Sequence, residues 1–521
     1  MTDQPAATPA DFTFAPLTPV TFLSRAAAVF AERTAIIDGD RTFTYAEFHR
    51  RAAQLTAGLA DLGIQPGDRV AALCANSHVM LELHNAVPGS AAVLVPLNIR
   101  LSEAELAYVL DHSGARLLVA THEFADTARS VAEAVGIRVV IAGGADDEYE
   151  SLLSTDSAPE WRDVDERGLL AINYTSGTTG RPKGVMYHHR GAYLQSLAMA
   201  YHSGVGPGSN YLWTLPMFHC DGWCFTWALT AAGATHVCLR AIDTAQIWHH
   251  LTSDGITHFS AAPTVLTMIA EDPAAAPLEH TVQAATGGAP PSPSLLARMA
   301  DLGIEVTHLY GLTETFGPIA VNQWQPEWDA GSPTERAILK ARQGIGNISA
   351  GRLRAVTPDG ADVPADAATE GELVARGNNV MLGYYRDPDA TAAATVDGWL
   401  RTGDVAVMHP DGYAEIRDRS KDVIISGGEN IASVEVERVL DSHPDVVESA
   451  VVARADERWG EVPVAYVVIR RGADLSADAL IEFTRERLAR FKVPKQIVFA
   501  DLPKTSTGKI QKNVLRGRQG G

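Results

Sequence analysis

Short apolar runs alternate with longer amphipathic stretches over the first two-thirds of the chain. Arg69-Val-Ala-Ala-Leu-Cys74, Arg116-Leu-Leu-Val-Ala120, Arg138-Val-Val-Ile141, His236-Val-Cys-Leu239 and Glu305-Val-Thr-His-Leu309 have the length and apolar density of buried strands. Tyr45–Gly63 and Leu295–Asp301 carry helical spacing. Strand and helix in alternation predict an α/β fold with parallel, doubly wound sheets. From Gly344 the texture changes to short strands punctuated at Pro358-Asp-Gly360, Asp397-Gly398 and Pro410-Asp-Gly412, which predicts a β-rich subdomain. No internal repeat of fixed period is present.

At 521 residues the chain exceeds one compact core, and a prior of about 150 residues per domain gives two to four units. Charge places a boundary near Asp418-Arg419-Ser420-Lys421-Asp422-Val423. Residues 418–521 are almost neutral, while the whole chain carries a net charge of −20. The expected organisation is a large unit over residues 1–417, a hinge at 418–423, and a small mobile α+β unit over 424–521. The acidic balance argues against a general nucleic-acid binder. Four cysteines in so long a chain form no secreted disulfide framework. The first residues have no apolar core of a signal peptide, and no apolar run reaches a membrane-spanning length of about 18 residues. The expectation is a cytoplasmic enzyme with no integral membrane segment. A homodimer stays open as its assembled form.

The chemistry begins at Tyr174-Thr175-Ser176-Gly177-Thr178-Thr179-Gly180-Arg181-Pro182-Lys183-Gly184. Its glycines let backbone N–H groups approach phosphate oxygens. Thr175, Ser176, Thr178 and Thr179 add hydroxyl donors, and Lys183 adds a positive charge without any carboxylate nearby in sequence. A Walker A loop is excluded, because Pro182 and Gly184 occupy positions where that pattern needs glycine and Ser or Thr. The run resembles the phosphate loop of the adenylate-forming (AMP-binding) enzymes, which include acyl-CoA synthetases, carrier-loading adenylation domains and luciferases.

Later segments extend the resemblance over nearly the whole chain. Gly287-Gly288-Ala289-Pro290 matches the segment that lines the adenine. In Tyr310-Gly311-Leu312-Thr313-Glu314, the resemblance implies that Tyr310 stacks on a base, that Gly311 and Leu312 line the nucleotide, that Thr313 donates to the α-phosphate, and that Glu314 and Thr175 hold Mg²⁺. Asp404 in Arg401-Thr402-Gly403-Asp404 and Arg419 are implied ribose contacts, and Lys421 the hinge position. Ser426-Gly427-Gly428-Glu429 resembles the loop used for thioester formation, and Pro503–Lys509 the motif ending in the catalytic lysine, Lys509. The implied reaction uses ATP, Mg²⁺, a small-molecule carboxylic acid and coenzyme A. The acid forms an acyl-adenylate, and a thiol then displaces AMP. Lys509 serves the first step and would obstruct the second, hence a mobile lid.

Trp213-Thr-Leu-Pro-Met-Phe-His-Cys-Asp-Gly-Trp-Cys224 is the expected acid pocket, with Trp213, His219, Trp223, Gly288 and Phe316 as its lining. It resembles that of bacterial and plant short- to medium-chain acyl-CoA synthetases, including enzymes acting on methylthio-propionate. His219 stands where amino-acid-activating domains carry an aspartate for the ammonium, which disfavours amino-acid substrates. Asp221, two residues on, leaves that question open at the sequence level, and Trp223 is equally readable as pocket gate or core. Three alternatives remain: a ligase for aromatic acids, an adenylate former serving a carrier protein in trans, and a non-catalytic sensor. Intact Lys183, Glu314, Asp404 and Lys509 argue against the last.

Overall fold

The computed structural model describes residues 14–145, 147–153, 159–175, 181–419, 421–426, 429–456, 458–505 and 508–518. Its first sheet has six strands in the order Arg138–Ala142, Ala115–Thr121, Arg69–Leu73, Val93–Pro96, Leu169–Tyr174 and Gly184–His188. All neighbours are parallel except the last pair, which brackets the phosphate loop. Alternation along Arg69–Leu73 assigns its side chains to two cores. Val70 and Ala72 face the core shared with the second sheet. Ala71 and Leu73 face the one beneath helices Glu103–Ser113 and Ala125–Val135.

The second sheet runs Ile345–Gly346, Gly317–Val321, Ile304–Leu312, Val282–Thr286, His258–Ala261, Asn210–Trp213, Thr235–Cys238, Thr34–Asp38 and Arg41–Thr44. Its centre is parallel, as the alternating pattern predicts. Both ends are antiparallel: hairpins join Thr34–Asp38 to Arg41–Thr44 and Ile304–Leu312 to Gly317–Val321, and Ile345–Gly346 returns to the edge after the helix Pro333–Ala341. Ile345–Gly346 still belongs to this sheet, so the change of texture at Gly344 precedes the third sheet, whose first strand is Arg354–Val356. The third sheet is antiparallel around Trp399–Met408. Its tightest hairpin pairs Val396 with Trp399 across Asp397 and Gly398, both at positive φ (51° and 76°), the geometry that favours Asp-Gly in a two-residue turn.

The strand Ala414–Arg419 ends the third sheet and Ile424–Ser426 opens the fourth. Between them, the N–H groups of Asp422 and Val423 both donate to the Arg419 carbonyl, forming a tight turn. The fourth sheet, with strands Val446–Asp456, Gly460–Ile469 and Gln496–Phe499, packs on helices Ser433–Asp441 and Ala477–Arg485. It has a core of its own, including Ile424, Val436, Leu440, Val451, Ala465 and Leu480. The result is a large α/β unit with a β-rich sheet and a smaller α+β unit. Among the described residues, no helix is long and apolar enough to cross a membrane.

Candidate active site

The parallel strands Val282–Thr286 and Ile304–Leu312 run side by side, and the candidate site lies towards their carboxyl ends, where open α/β sheets bind ligands. After Leu312 the chain reverses through the single turn Thr313–Thr315 into the strand Gly317–Val321. A Cβ at Gly311 would lie 1.9 Å from the Gly317 carbonyl oxygen, so only glycine permits so close a pass. The Thr315 hydroxyl accepts from Leu312 N–H (2.9 Å) and donates to the Gly317 carbonyl (2.7 Å), fixing the turn from inside.

Two tyrosines distant in sequence hold this turn from outside. Tyr187 donates to the Thr313 carbonyl at 2.7 Å, and Tyr384 donates to Glu314 Oε1 at 2.7 Å. Burial and the Glu314 carboxylate push the Tyr384 hydroxyl well above its usual range, so it stays a donor. The Lys183 ammonium lies 4.8 Å from the centre of the Tyr384 ring. Tyr384 thereby links the far end of the phosphate loop to the Glu314 turn. Neither tyrosine belongs to a motif, and no local signal in the sequence marks them. Thr175 N–H donates to the Lys183 carbonyl at 3.0 Å, closing the neck of the loop. Ser176, Gly177, Thr178 and Thr179 lie outside the described residues.

Asp404 and Arg419 face each other on adjacent strands. The Asp404 carboxylate is buried, with Arg419 Nε 2.8 Å from Oδ1 and the Tyr310 hydroxyl donating to Oδ2 at 2.6 Å. Tyr310 is therefore anchored at its hydroxyl end. Lys509 sits on a hairpin in which Thr505 N–H donates to the Lys509 carbonyl and Gly508 N–H to the Thr505 carbonyl. The hairpin reaches the large unit, where the Thr264 hydroxyl donates to the Gly508 carbonyl at 3.4 Å. Burial, then the Arg419 charge, pulls the Lys509 pKa down to about 8, against the opposing pull of Asp404. Lys509 is thus brought together with the Asp404–Arg419 pair. His219 is pulled down to about 4 by burial and by the Lys509 charge, so its ring is neutral near pH 7.

In the expected acid-pocket segment, Cys220, Asp221, Gly222, Trp223 and Cys224 all have positive φ, between 51° and 63°. Four of the five are not glycine, and each non-glycine residue held there costs about 1–2 kcal/mol. Surrounding contacts must therefore over-determine the turn. Trp223 is buried, with its indole between two backbones. A Cβ at Gly287 would meet it at 3.1 Å, and one at Gly317 at 2.9 Å. Cys220 Sγ lies 3.7 Å from the Thr313 hydroxyl. Trp213 lies behind the turn, fully buried, with its indole N–H donating to His236 at 3.1 Å and its ring against Gly222. Phe316 is also fully buried, stacked on Tyr187 at 3.9 Å. Both therefore lie beneath the pocket wall. Asp221 turns inward, away from the site, to Asn173 and His84.

Gly287 is buried and Gly288 exposed at φ +87°, with Ala289 and Pro290 following half-buried. Ser426 and Glu429 pair across a hairpin whose tip, Gly427 and Gly428, lies outside the described residues. Glu461, which no motif marks, accepts from Ile425 N–H at 2.9 Å and braces that hairpin. Lys421 is exposed in the turn between the third and fourth sheets. Among the described residues, no cluster of three or more His, Cys, Asp or Glu side chains forms a metal cage.

A model of the family described as AMP-binding enzyme matches residues 23–385, and one described as AMP-binding enzyme C-terminal domain matches residues 435–509. An acetate–CoA ligase of Humulus lupulus is 44% identical, over 96% of this chain and 94% of its own. A 2-methylpropanoate–CoA ligase of the same plant is also 44% identical, over 96% and 95%. Among solved structures, ATP-bound MatB from Rhodopseudomonas palustris superposes with a TM-score of 0.85 at 28% identity, covering 96% of this chain and 98% of that one.

Proposed function

The chain belongs to the family of AMP-binding enzymes, and on that premise we propose that it converts a short- to medium-chain alkanoic or methylthio-alkanoic acid to its CoA thioester. The general reaction is that of an AMP-forming acid–thiol ligase. A carboxylate oxygen attacks the α-phosphorus of ATP, the α–β anhydride bond breaks, and pyrophosphate leaves. The thiol sulfur of CoA then attacks the acyl carbon, the bond to AMP breaks, and the thiol proton is released.

In this reading Lys509 and the Thr313 hydroxyl stabilise the charge that gathers on the α-phosphate, a role that preorganised donors fill without reorganisation cost. Asp404 and Arg419 hold the ribose. The phosphate loop, from Thr175 to Lys183, cradles the β- and γ-phosphates. Glu314, steadied through one oxygen by Tyr384, supplies a single hard carboxylate, the donor set Mg²⁺ takes when phosphates provide the rest. With Thr175 it would hold that ion, which neutralises phosphate charge when bound.

The substrate reading rests on the turn at residues 219–224. Its one carboxylate, Asp221, is fully buried and committed to Asn173 and His84. His219 is neutral, so the segment offers no anion to an ammonium group. Trp223, flush against Gly287 and Gly317, would cap a pocket on this side and keep it short. The relatives named for acetate and 2-methylpropanoate support short acids. The test is AMP release with and without CoA over C2–C12, methylthio-alkanoic and aromatic acids. Release should need both acid and CoA and peak among the short to medium chains. Pyrophosphate exchange without CoA-dependent release would move the acceptor to a carrier protein, and a peak among aromatic acids would overturn the substrate reading.

A further inference from the structure

The strand Ala414–Arg419 ends the third sheet at the hinge, and two of its carboxylates hold one helix of the small unit. Glu415 is buried, and its Oε1 lies 2.7 Å from Nη1 of Arg438 in the helix Ser433–Asp441. Arg417 Nη1 lies 3.1 Å from the same oxygen, and His409 Nε2 lies 2.9 Å from Oε2. Asp418, where the hinge begins, is buried too and divides its oxygens between two partners. Oδ1 accepts from Arg419 N–H at 2.8 Å, and Oδ2 accepts from Ser433 N–H, the first amide of the same helix. That amide has no carbonyl partner within the helix, so the carboxylate both satisfies it and meets the positive end of the helix dipole. The helix is thereby held at its start and, five residues on, at Arg438. Ser433 passes the contact to the hairpin that carries Lys509. Its hydroxyl accepts from Lys512 Nζ at 2.5 Å, and the same ammonium lies 2.7 Å from Glu437 Oε1. Lys512 opens the helix Lys512–Gly517, and just before it Gln511 N–H donates to the Pro503 carbonyl at 2.8 Å, across the base of the hairpin. One path of contacts therefore runs from the Asp404–Arg419 pair through Asp418, Ser433 and Lys512 to Lys509.

We propose that Glu415, Asp418 and Arg438 are positioning residues for the first half-reaction. They clamp the helix Ser433–Asp441 to the strand Ala414–Arg419 so that Lys509 meets the nucleotide, and they part for the second half-reaction. This inference rests on the two-step reaction given above. Both clamps, Glu415 to Arg438 and Asp418 to Ser433, straddle Lys421, so a turn of the small unit about that hinge separates each pair. A unit that must visit two arrangements cannot favour either by much, so a contact made in only one of them sets the balance.

Arg438→Ala is the cleanest variant, because Glu415 keeps Arg417 and His409 and no buried charge is left alone. In the full-length enzyme its kcat for pyrophosphate exchange should fall about fivefold, the upper end for a partly exposed ion pair. The KM values for acid and ATP should stay within about twofold, since the lost contact acts through Lys509 rather than on substrate binding. Conversion of supplied acyl-AMP and CoA to thioester should hold or quicken, and the melting temperature should move by less than about 2 °C. Arg438→Lys keeps a cation for a contact that is single rather than bidentate, and should recover most of the exchange activity. Asp418→Ala should show the same split between half-reactions, while Asp418→Asn, whose amide oxygen still accepts from Ser433 N–H, should lose less. Hydrogen exchange reads the clamp without catalysis. Asp418 protects the Ser433 amide, so peptides covering residues 431–436 should exchange about fivefold faster in Arg438→Ala than in wild type. An unchanged kcat for pyrophosphate exchange, or equal losses in the two half-reactions, overturns the positioning role. Unchanged hydrogen exchange overturns the clamp itself, and Arg438→Ala decides both points even if Asp418→Ala fails to fold. If wild type activates no acid in an acetate-to-octanoate series, the reading of the reaction has failed, while hydrogen exchange still decides the clamp.

Discussion

Lys509 enters the site with its pKa already drawn down to about 8 by burial and by Arg419. In the proposed reaction its cation is the form that stabilises the transition state, so activity should be lost as pH rises. The kcat/KM for adenylation, which reports the free enzyme, should be flat below about pH 8 and fall about tenfold per unit above it. Lys509→Arg should remove that limb, because a guanidinium does not deprotonate in this range. Lys509→Ala should slow adenylation by ~10²-fold or more, yet leave conversion of supplied acyl-AMP to thioester largely intact. An equal fall in both half-reactions would deny Lys509 its assigned step. Trp223 gives the second test at this scale. Trp223→Ala opens room for several methylenes, each worth about 0.8 kcal/mol when buried, so longer acids should gain a few-fold per carbon while the shortest lose. A uniform fall across the series with a large drop in melting temperature would make Trp223 a core residue alone.

Among the elements, the turn between the third and fourth sheets is the pivot on which the proposed cycle turns the small unit from one face to the other. Lys421→Pro would hold φ near −65° and remove a donor at that turn. Pyrophosphate exchange should survive and thioester formation should drop; equal losses would place the pivot elsewhere. Elements of this kind were readable in the sequence where glycine and proline mark them, as at Asp397-Gly398 and at the neck of the phosphate loop. The central parallel strands were readable because residues such as Val70 and Ala71 are apolar on both faces. The antiparallel edges were not, since the short strands Gly317–Val321 and Ile345–Gly346 take their direction from pairing partners rather than from periodicity. The left-handed run at Cys220–Cys224 was equally hidden: one glycine in five gives no local warning, and its supports, His84 and Asn173, lie over 40 residues away. Tyr187 and Tyr384 escaped for the same reason, being 126 and 70 residues from the groups they hold.

At the scale of the whole molecule, the described residues of the small unit meet the large one at Arg438, whose Nη1 lies 2.7 Å from Glu415 Oε1, at Arg470 and at Gly508. Arg470 reaches Glu271 at 2.6 Å, an exposed pair that contributes little. The closer fit is at Gly508, whose φ is +82°. A Cβ there would lie 2.4 Å from the Thr264 hydroxyl and 3.4 Å from Ala262 Cβ. Gly508→Ala should therefore act twice against the conformation that presents Lys509. It strains the hairpin by about 1–2 kcal/mol, and it pushes the hairpin away from the helix Pro263–Glu271. Adenylation should fall about tenfold or more, since 1.4 kcal/mol already corresponds to that factor. Conversion of supplied acyl-AMP should persist, because in the proposed cycle Lys509 withdraws for thioester formation. Thr264→Ala should lose little by itself, and in the Gly508→Ala background it should recover the part of the loss due to collision. No recovery would leave backbone strain as the sole cause. A matching loss in the thioester step would show that this contact serves both conformations, against the division of labour assigned to the mobile unit.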